Sequence, residues 1–160
     1  MIDGTAFVDA LCAILEDLYP NDPAAPYRDT IHEGFERPAS LVFVEDATVT
    51  MPQLGALRAV FKLCVRSFCP VDLYHDTQSA FLYRRAMEIA GTVMARGLSV
   101  SDSDTGEVRR PTLSLSEQKF GADFCDVFFT AELLLCPDDF KTPETAPIME
   151  ILHEHVQEEV

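Results

Sequence analysis

The sequence contains no tryptophan, only seven glycines, and no run of about 20 apolar residues, the length that a membrane-spanning helix requires. It begins Met1-Ile2-Asp3-Gly4, without the basic residues and apolar stretch of a signal peptide, so we expect the chain to stay in the cytoplasm. Basic residues are also few: 12 Lys and Arg stand against 27 Asp and Glu, for a formal charge of −15. This charge disfavours sequence-independent binding to nucleic acid and adsorption to an acidic membrane.

What the chain does contain is a large apolar fraction. Its 160 residues are 48% apolar and include 11 phenylalanines, which is enough to fill the core of one domain and excludes a disordered acidic chain. We predict one folded domain over residues 1–140 and an acidic C-terminal tail over residues 141–160.

The five cysteines are odd in number, scattered, and embedded in apolar runs. This pattern is typical of reduced cysteines in a core. Thiol redox chemistry and metal binding remain as alternatives. We predict neither a metal site nor a cofactor.

Two segments have the periodicity of amphipathic helices. The first begins at Thr5, a candidate N-cap, and ends at a cluster of helix breakers that starts with Pro20. The second begins at Asp76 or Thr77 and ends at Gly97, a candidate C-terminal cap. In this second helix the residues predicted to face inward are Leu82, Ala86, Ile89, Ala90 and Val93, and those predicted to face outward are Arg84, Arg85 and Glu88.

Strands are predicted between and after the helices. Residues 39–45 are apolar at every central position, as in a strand that is buried on both faces or that meets another subunit on one face. Residues 46–55 indicate an exposed hairpin loop or arm, and residues 59–68 alternate as a half-buried strand does. Further strands are predicted at residues 27–31, 109–118 and 122–135, the last of them long enough to extend beyond the compact core.

The predicted order is therefore one helix, three strands, a second helix, two strands and a tail. Because most connections between strands are too short for parallel crossovers, the sequence favours an α+β fold. We expect a mostly antiparallel sheet of four to five strands with two helices packed on one face. The tail is predicted to be a docking helix or a flexible segment, with its apolar residues at Ile148, Ile151, Leu152 and Val156.

No catalytic motif is present. The glycines are scattered singly, so there is no dinucleotide-binding or phosphate-binding loop, and the nucleophile elbow around a serine is also missing. His153 and His155 are two residues apart, so on a helix they point to different sides and do not form a metal pair. We predict that the protein is not an enzyme. A small thiol- or histidine-dependent enzyme using Cys64, Cys69 or His32 is the remote alternative.

Several segments together form a recognisable pattern over roughly residues 5–136. They are the opening helix at 7–19, the sequence Gly34-Phe35-Glu36-Arg37-Pro38 before the strand at 39–45, the strand at 60–68 before Cys69-Pro70, the amphipathic helix at 79–96 and the aromatic strand at 124–135. Met149-Glu150 follows in the acidic ending. This pattern resembles the tail terminators, or tail-completion proteins, of long-tailed and contractile-tailed phages.

The resemblance implies an α+β subunit that forms a ring, commonly a hexamer, on the completed tail tube. Such a ring stops polymerisation of the tube and offers an interface to the head–tail connector. The implied partners are other copies of the chain, the tail tube protein and connector proteins. DNA is expected to pass through the lumen without specific binding, and the charge of −15 is compatible with this. The implied location is the head-proximal end of the tail in the virion, after assembly in the host cytoplasm.

A ring needs interfaces in which one patch meets a different patch on the next copy. On each strand, the alternative to an intermolecular contact is cover by helices of the same subunit, and the alternative to an interlocking arm is a mobile hairpin. Another head–tail connector or a tail assembly chaperone is the alternative function. The residues that we predict at the interface are Leu41, Val42, Phe43 and Val44 of the apolar strand, Thr48 and Met51 of the arm, Phe124 and Phe128 of the last strand, and Arg84 and Arg85 of the second helix.

Overall fold

The protein folds as an α+β unit, as predicted, and the computed structural model describes residues 2–135. Its elements are α1 (Gly4–Leu18), β1 (Tyr27–Arg28), β2 (Ala39–Gln53), β3 (Ala56–Phe68), α2 (His75–Arg96), β4 (Val100–Ser101), β5 (Val108–Arg109), β6 (Thr112–Phe120) and β7 (Phe124–Leu135). The main sheet has five strands in the order β1-β2-β3-β7-β6, and β4 and β5 form a small separate ribbon.

The neighbouring strands of the main sheet are antiparallel except β1, which runs parallel to β2. Val42, Val65 and Val127 lie side by side in one register row, and all three are fully buried. The next such row contains Leu63 and Phe129, which are also fully buried. These rows make up the face of the sheet that packs in the main core.

Both helices cover this same face. α1 contacts β2 and β3, whereas α2 contacts β7 and β6. Leu82, Ala86, Ile89, Ala90 and Val93 of α2 are all buried, so the predicted inward set is confirmed. Within residues 2–135, neither helix is apolar enough over a sufficient length to cross a membrane.

The predicted C-terminal cap of α2 is confirmed, whereas the predicted N-terminal cap of α1 is not. Gly97 caps α2 with a positive φ of 71°, and its N–H donates to the carbonyl of Val93 at 2.8 Å. At α1, the prediction of Thr5 as N-cap was wrong. The cap is Asp3, whose carboxylate accepts from the backbone N–H groups of Thr5 and Ala6, and a carboxylate also suits the positive end of the helix dipole.

Among residues 2–135, cover on the opposite face of the sheet is found at one end only. Ala39, Leu41 and Phe68 are buried there beneath a segment that contains Tyr27, Ile31 and Phe35. This smaller cluster explains why the start of β2 is apolar at successive positions: one set of side chains meets the helices and the other set meets this segment.

Three strand predictions needed correction. The predicted strand at 39–45 continues to Gln53, so the segment predicted as an exposed hairpin loop or arm is an exposed arm, in strand form up to the turn at Leu54 and Gly55. The predicted strand at 109–118 is divided into β5 and β6, and Pro111, which has no N–H to donate, lies between them. The predicted short strand at 27–31 covers only two residues.

Phe129 offers a direct test of the core. Its ring is fully buried opposite Leu63, so Phe129→Ala should lower the free energy of unfolding by about 3–5 kcal/mol. Urea denaturation followed by circular dichroism measures this loss. Tyr74→Ala, at a position that is 86% exposed, should change it by less than about 0.5 kcal/mol. Equal effects of the two substitutions would contradict the assigned core.

Candidate assembly surfaces

The outer half of β2 projects from the core, and we call residues 45–55 the arm. From Glu45 onward every residue of β2 is exposed. One edge of the arm pairs with β3, but β1 pairs only with Leu41 and Val42, so no described strand covers the other edge. Three large apolar residues of the arm face solvent: Val49 at 59%, Met51 at 61% and Leu54 at 96% exposure.

A second apolar surface lies at the opposite end of the sheet, along β6. We call it the edge patch, and it comprises Leu115 and Phe120 of β6 with Tyr83, Met87 and Met94 of α2, all of them exposed. The rings of Tyr83 and Phe120 stack with their centroids 6.1 Å apart. β6 is the last strand in the sheet order, and the described residues provide no strand beyond it. Exposed apolar side chains therefore line both free edges of the sheet.

The four predicted interface residues of β2 divide between the two faces of the sheet. Val42 is fully buried and, with partly buried Val44, packs in the main core. Leu41 is buried in the smaller cluster, against which partly buried Phe43 packs. Because elements of the same subunit already cover Leu41 and Val42, we leave them out of the proposed interface. Both side chains are covered by elements of their own subunit, which was the alternative to an intermolecular contact.

Phe124 and Phe128 of β7 are also held within the subunit. The Arg66 guanidinium lies 4.5 Å from the centre of the Phe124 ring, and the Lys62 ammonium lies 4.9 Å from that of Phe128. Lys119 approaches the same Phe128 ring at 5.5 Å, and Phe128 is only 5% exposed. Phe128 is therefore buried within the subunit, and we leave it out of the proposed interface. Phe124 is partly buried, and its contact with another copy stays a prediction.

Arg66 also forms the best-defined ion pair on this face. Its Nε and Nη2 atoms donate to the two carboxylate oxygens of Asp126 at 2.7 and 2.9 Å. Asp126 is buried, and a bidentate pair of this kind provides the hydrogen bonds that a buried carboxylate needs. This ion pair joins β3 to β7 on the face that the helices do not cover, and it fixes the register between the two strands.

Arg84 and Arg85 have opposite environments. Arg85, which was predicted to face outward, is buried, and its Nη2 donates to both carboxylate oxygens of Asp22. Its guanidinium lies 3.6 Å from the centre of the Tyr19 ring. Burial raises the pKa of the Asp22 carboxyl, and the Arg85 charge opposes that shift. Arg85 is thus an internal residue, whereas Arg84 is exposed and remains available to a partner.

Of the other predicted interface residues, Thr48 and Met51 are exposed on the arm, and their contact with another copy stays a prediction. Ile148, Ile151, Leu152 and Val156 of the tail lie outside the described residues.

In the described part of the chain, titratable side chains converge at a cavity of about 250 Å³ that is lined by Tyr19, Asp22, Arg84, Arg85 and Glu88. Asp22 is paired there with Arg85, and the Tyr19 hydroxyl donates to Glu88 at 3.0 Å. A groove of about 420 Å³ beside the start of α2 is lined by Pro70, Leu73, Thr77, Ala80, Phe81 and Arg84. Arg84 is the one charged residue lining it, so the groove brings no acid and base together. Within residues 2–135, no three His, Cys, Asp or Glu side chains form a group that could hold a metal ion.

Four of the cysteines, Cys12, Cys64, Cys69 and Cys125, are free and buried. Burial raises the pKa of Cys12 and of Cys125 to about 11, and it also raises the pKa of Cys64 and Cys69. A raised pKa keeps a thiol protonated at neutral pH, and the protonated form is a poor nucleophile.

These thiols should therefore resist alkylation while the protein is folded. At pH 8, iodoacetamide should leave Cys12, Cys64, Cys69 and Cys125 unmodified for as long as the chain stays folded, and should modify all four in urea. Peptide mapping by mass spectrometry measures the extent at each position. Rapid modification of native Cys64 or Cys69 would instead favour the thiol-dependent enzyme.

No protein-family model matches the chain, and no curated protein sequence matches it. The resemblance to tail terminators therefore stays an expectation from the sequence pattern alone.

The edge patch was not predicted from the sequence. A signal for it was present, because Tyr83, Met87 and Met94 are large apolar residues on the side of α2 that was predicted to face solvent. Apolar residues on the polar side of an amphipathic helix often mark a surface that another molecule covers.

Proposed function

We propose that this chain is a non-enzymatic building block that assembles into a ring and, as a phage tail terminator, caps the tail tube. The observation that carries the proposal is the position of the exposed apolar residues. Val49, Met51 and Leu54 lie on one free edge of the sheet, and Leu115 and Phe120 lie on the other. Head-to-tail association requires two different interface surfaces on one subunit, and these two apolar edges are such surfaces.

The two edges differ from each other, so contact between them is heterologous. Repeated heterologous contacts give a closed ring when the rotation between neighbours divides a full turn, and an open filament when it does not. The resemblance to tail terminators supports the closed form, since members of that family form rings, commonly hexamers.

In this function the ring ends the growth of the tube and presents its other surface to the head–tail connector. DNA passes through the lumen, and the formal charge of −15 on each copy repels phosphate groups instead of binding them. The partners are other copies of the chain, the tube protein and connector proteins. The site of action is the head-proximal end of the tail in the virion.

The test combines mass measurement with a capping assay. Mass photometry and native mass spectrometry of the purified protein should show a single species of defined copy number, six in the simplest case. When this species is added to polymerising tail tube protein, electron microscopy should show tubes that stop growing with one ring at one end. A monomer at high concentration that has no effect on tube length would contradict the proposal.

A substitution on the arm separates assembly from folding. Val49→Asp places a charge on a side chain that is 59% exposed in the subunit, so the monomer should unfold at nearly the same urea concentration. Burying that charge at an interface is costly, and the ring should dissociate at concentrations at least about tenfold higher than for the original chain. Val71→Asp, at a 75% exposed position in the loop between β3 and α2, is the matched control and should leave the ring intact.

A further inference from the structure

We propose that the main sheet continues from one copy to the next, because the arm strand of one subunit pairs with β6 of its neighbour. The inference depends on the proposed function in one respect: it takes the partner to be a second copy of this chain. It adds which backbone edges meet, in which direction and in which register.

The directions of the strands permit this pairing. β6 is antiparallel to β7, β7 is antiparallel to β3, and β3 is antiparallel to β2. β6 and the arm strand therefore run in opposite directions within one subunit. When a second sheet is placed edge to edge with the first in the same orientation, β6 and the neighbouring arm form an ordinary antiparallel pair.

The lengths and the faces of the two strands also match. β6 has nine residues, and the exposed strand of the arm, residues 45–53, has the same number. Val49 lies opposite Ala59, and Leu115 lies opposite Phe129, so both point toward the face that the helices cover. A continuous sheet thus brings the exposed apolar side chains of the arm to the edge patch.

Charge favours one register. Asp46 lies opposite Lys62, and Lys119 lies opposite Asp126, so both belong to the other face of the sheet. Setting Asp46 across from Lys119 of the neighbour pairs unlike charges. From this pair, residues on the same face are matched along the two antiparallel strands, and the extra residue of β6 between Leu115 and Glu117 is skipped. Val49 then lies across from Leu115.

The β6 edge lacks some of the features that usually prevent such pairing, although it carries an irregularity between Leu115 and Glu117 and a lysine, Lys119. Exposed edge strands in monomeric proteins are commonly short, interrupted by proline, or covered. β6 is long, contains no proline, and carries exposed Leu115 and Phe120. In the arm, the single proline, Pro52, lies next to the turn and leaves residues 46–51 free to pair.

Engineered disulfides test this register. Thr50 and Ser114 are exposed polar residues on the same face, and the proposed pairing sets them directly across from each other. Their Cα atoms would then be about 4.5–5.5 Å apart, which suits a disulfide. In a Cys136→Ser background, the double variant Thr50→Cys with Ser114→Cys should form, under mild oxidation, a ladder of covalent oligomers that ends at the copy number of the ring.

Three controls define the result. Each single cysteine variant should give no ladder beyond a dimer. The mismatched pair Thr50→Cys with Val108→Cys, the latter at an exposed position on the separate ribbon, should give no ladder. Asp46→Lys or Lys119→Asp alone should lower the yield of cross-links between Thr50→Cys and Ser114→Cys, and the two charge reversals together should restore it.

The outcomes separate this inference from the proposed function. A ring in native mass spectrometry without the specific cross-link would overturn the strand pairing and leave the ring function standing. Equal cross-linking of the mismatched pair would likewise overturn the strand pairing and leave the ring function standing. The absence of both ring and cross-link would overturn the pairing and contradict the proposed function with it.

Discussion

The structure depends on burying one continuous apolar face of an antiparallel sheet. Val65 and Leu63 of β3 and Val127 and Phe129 of β7 are fully buried under the two helices, and they lie on the middle strand of the sheet and its neighbour. Removing such side chains from water is the dominant favourable contribution to folding. The position of the helices, the direction of the neighbouring strands and the projection of the arm all follow from this pair of strands.

Burying one face of the sheet leaves its two edge strands without a pairing partner on their outer sides. A sheet that is covered on one face still has a first and a last strand, and proteins that act as monomers usually protect these strands. Here α2 reaches β6 but leaves Leu115 and Phe120 exposed, and no described strand pairs with the outer edge of the arm or of β6. These two edges are the exposed features on which the proposed assembly depends.

Local patterns were enough to predict the elements that obey local rules. The inward residues of α2 and its end at Gly97 were predicted correctly, because helical periodicity and a left-handed cap are properties of adjacent residues. The predicted alternation of β3 was confirmed for Phe61, Leu63 and Val65, which pack on the face that the helices cover, whereas Cys64 on the other face is also buried.

Features set by distant residues were not predictable in this way. Arg85 faces inward because Asp22, 63 positions away, satisfies its charge, and no local pattern contains that information. The threonines and Pro52 of the arm favour a loop when considered alone, but pairing with β3 makes the segment a strand. Phe128 interrupts a polar face, which suggested an interface. Its cover by Lys62 and Lys119 depends on the registration of three strands.

The central claim is that the free edges of this sheet are joined in the working assembly. Hydrogen–deuterium exchange of backbone amides tests it most directly, because it reports pairing at each edge. In the assembled protein, slow exchange is expected in residues 46–51 and in part of Thr112–Phe120, with rapid exchange returning when the assembly is diluted into monomers. Rapid exchange at both edges in an assembly of defined copy number would contradict the account.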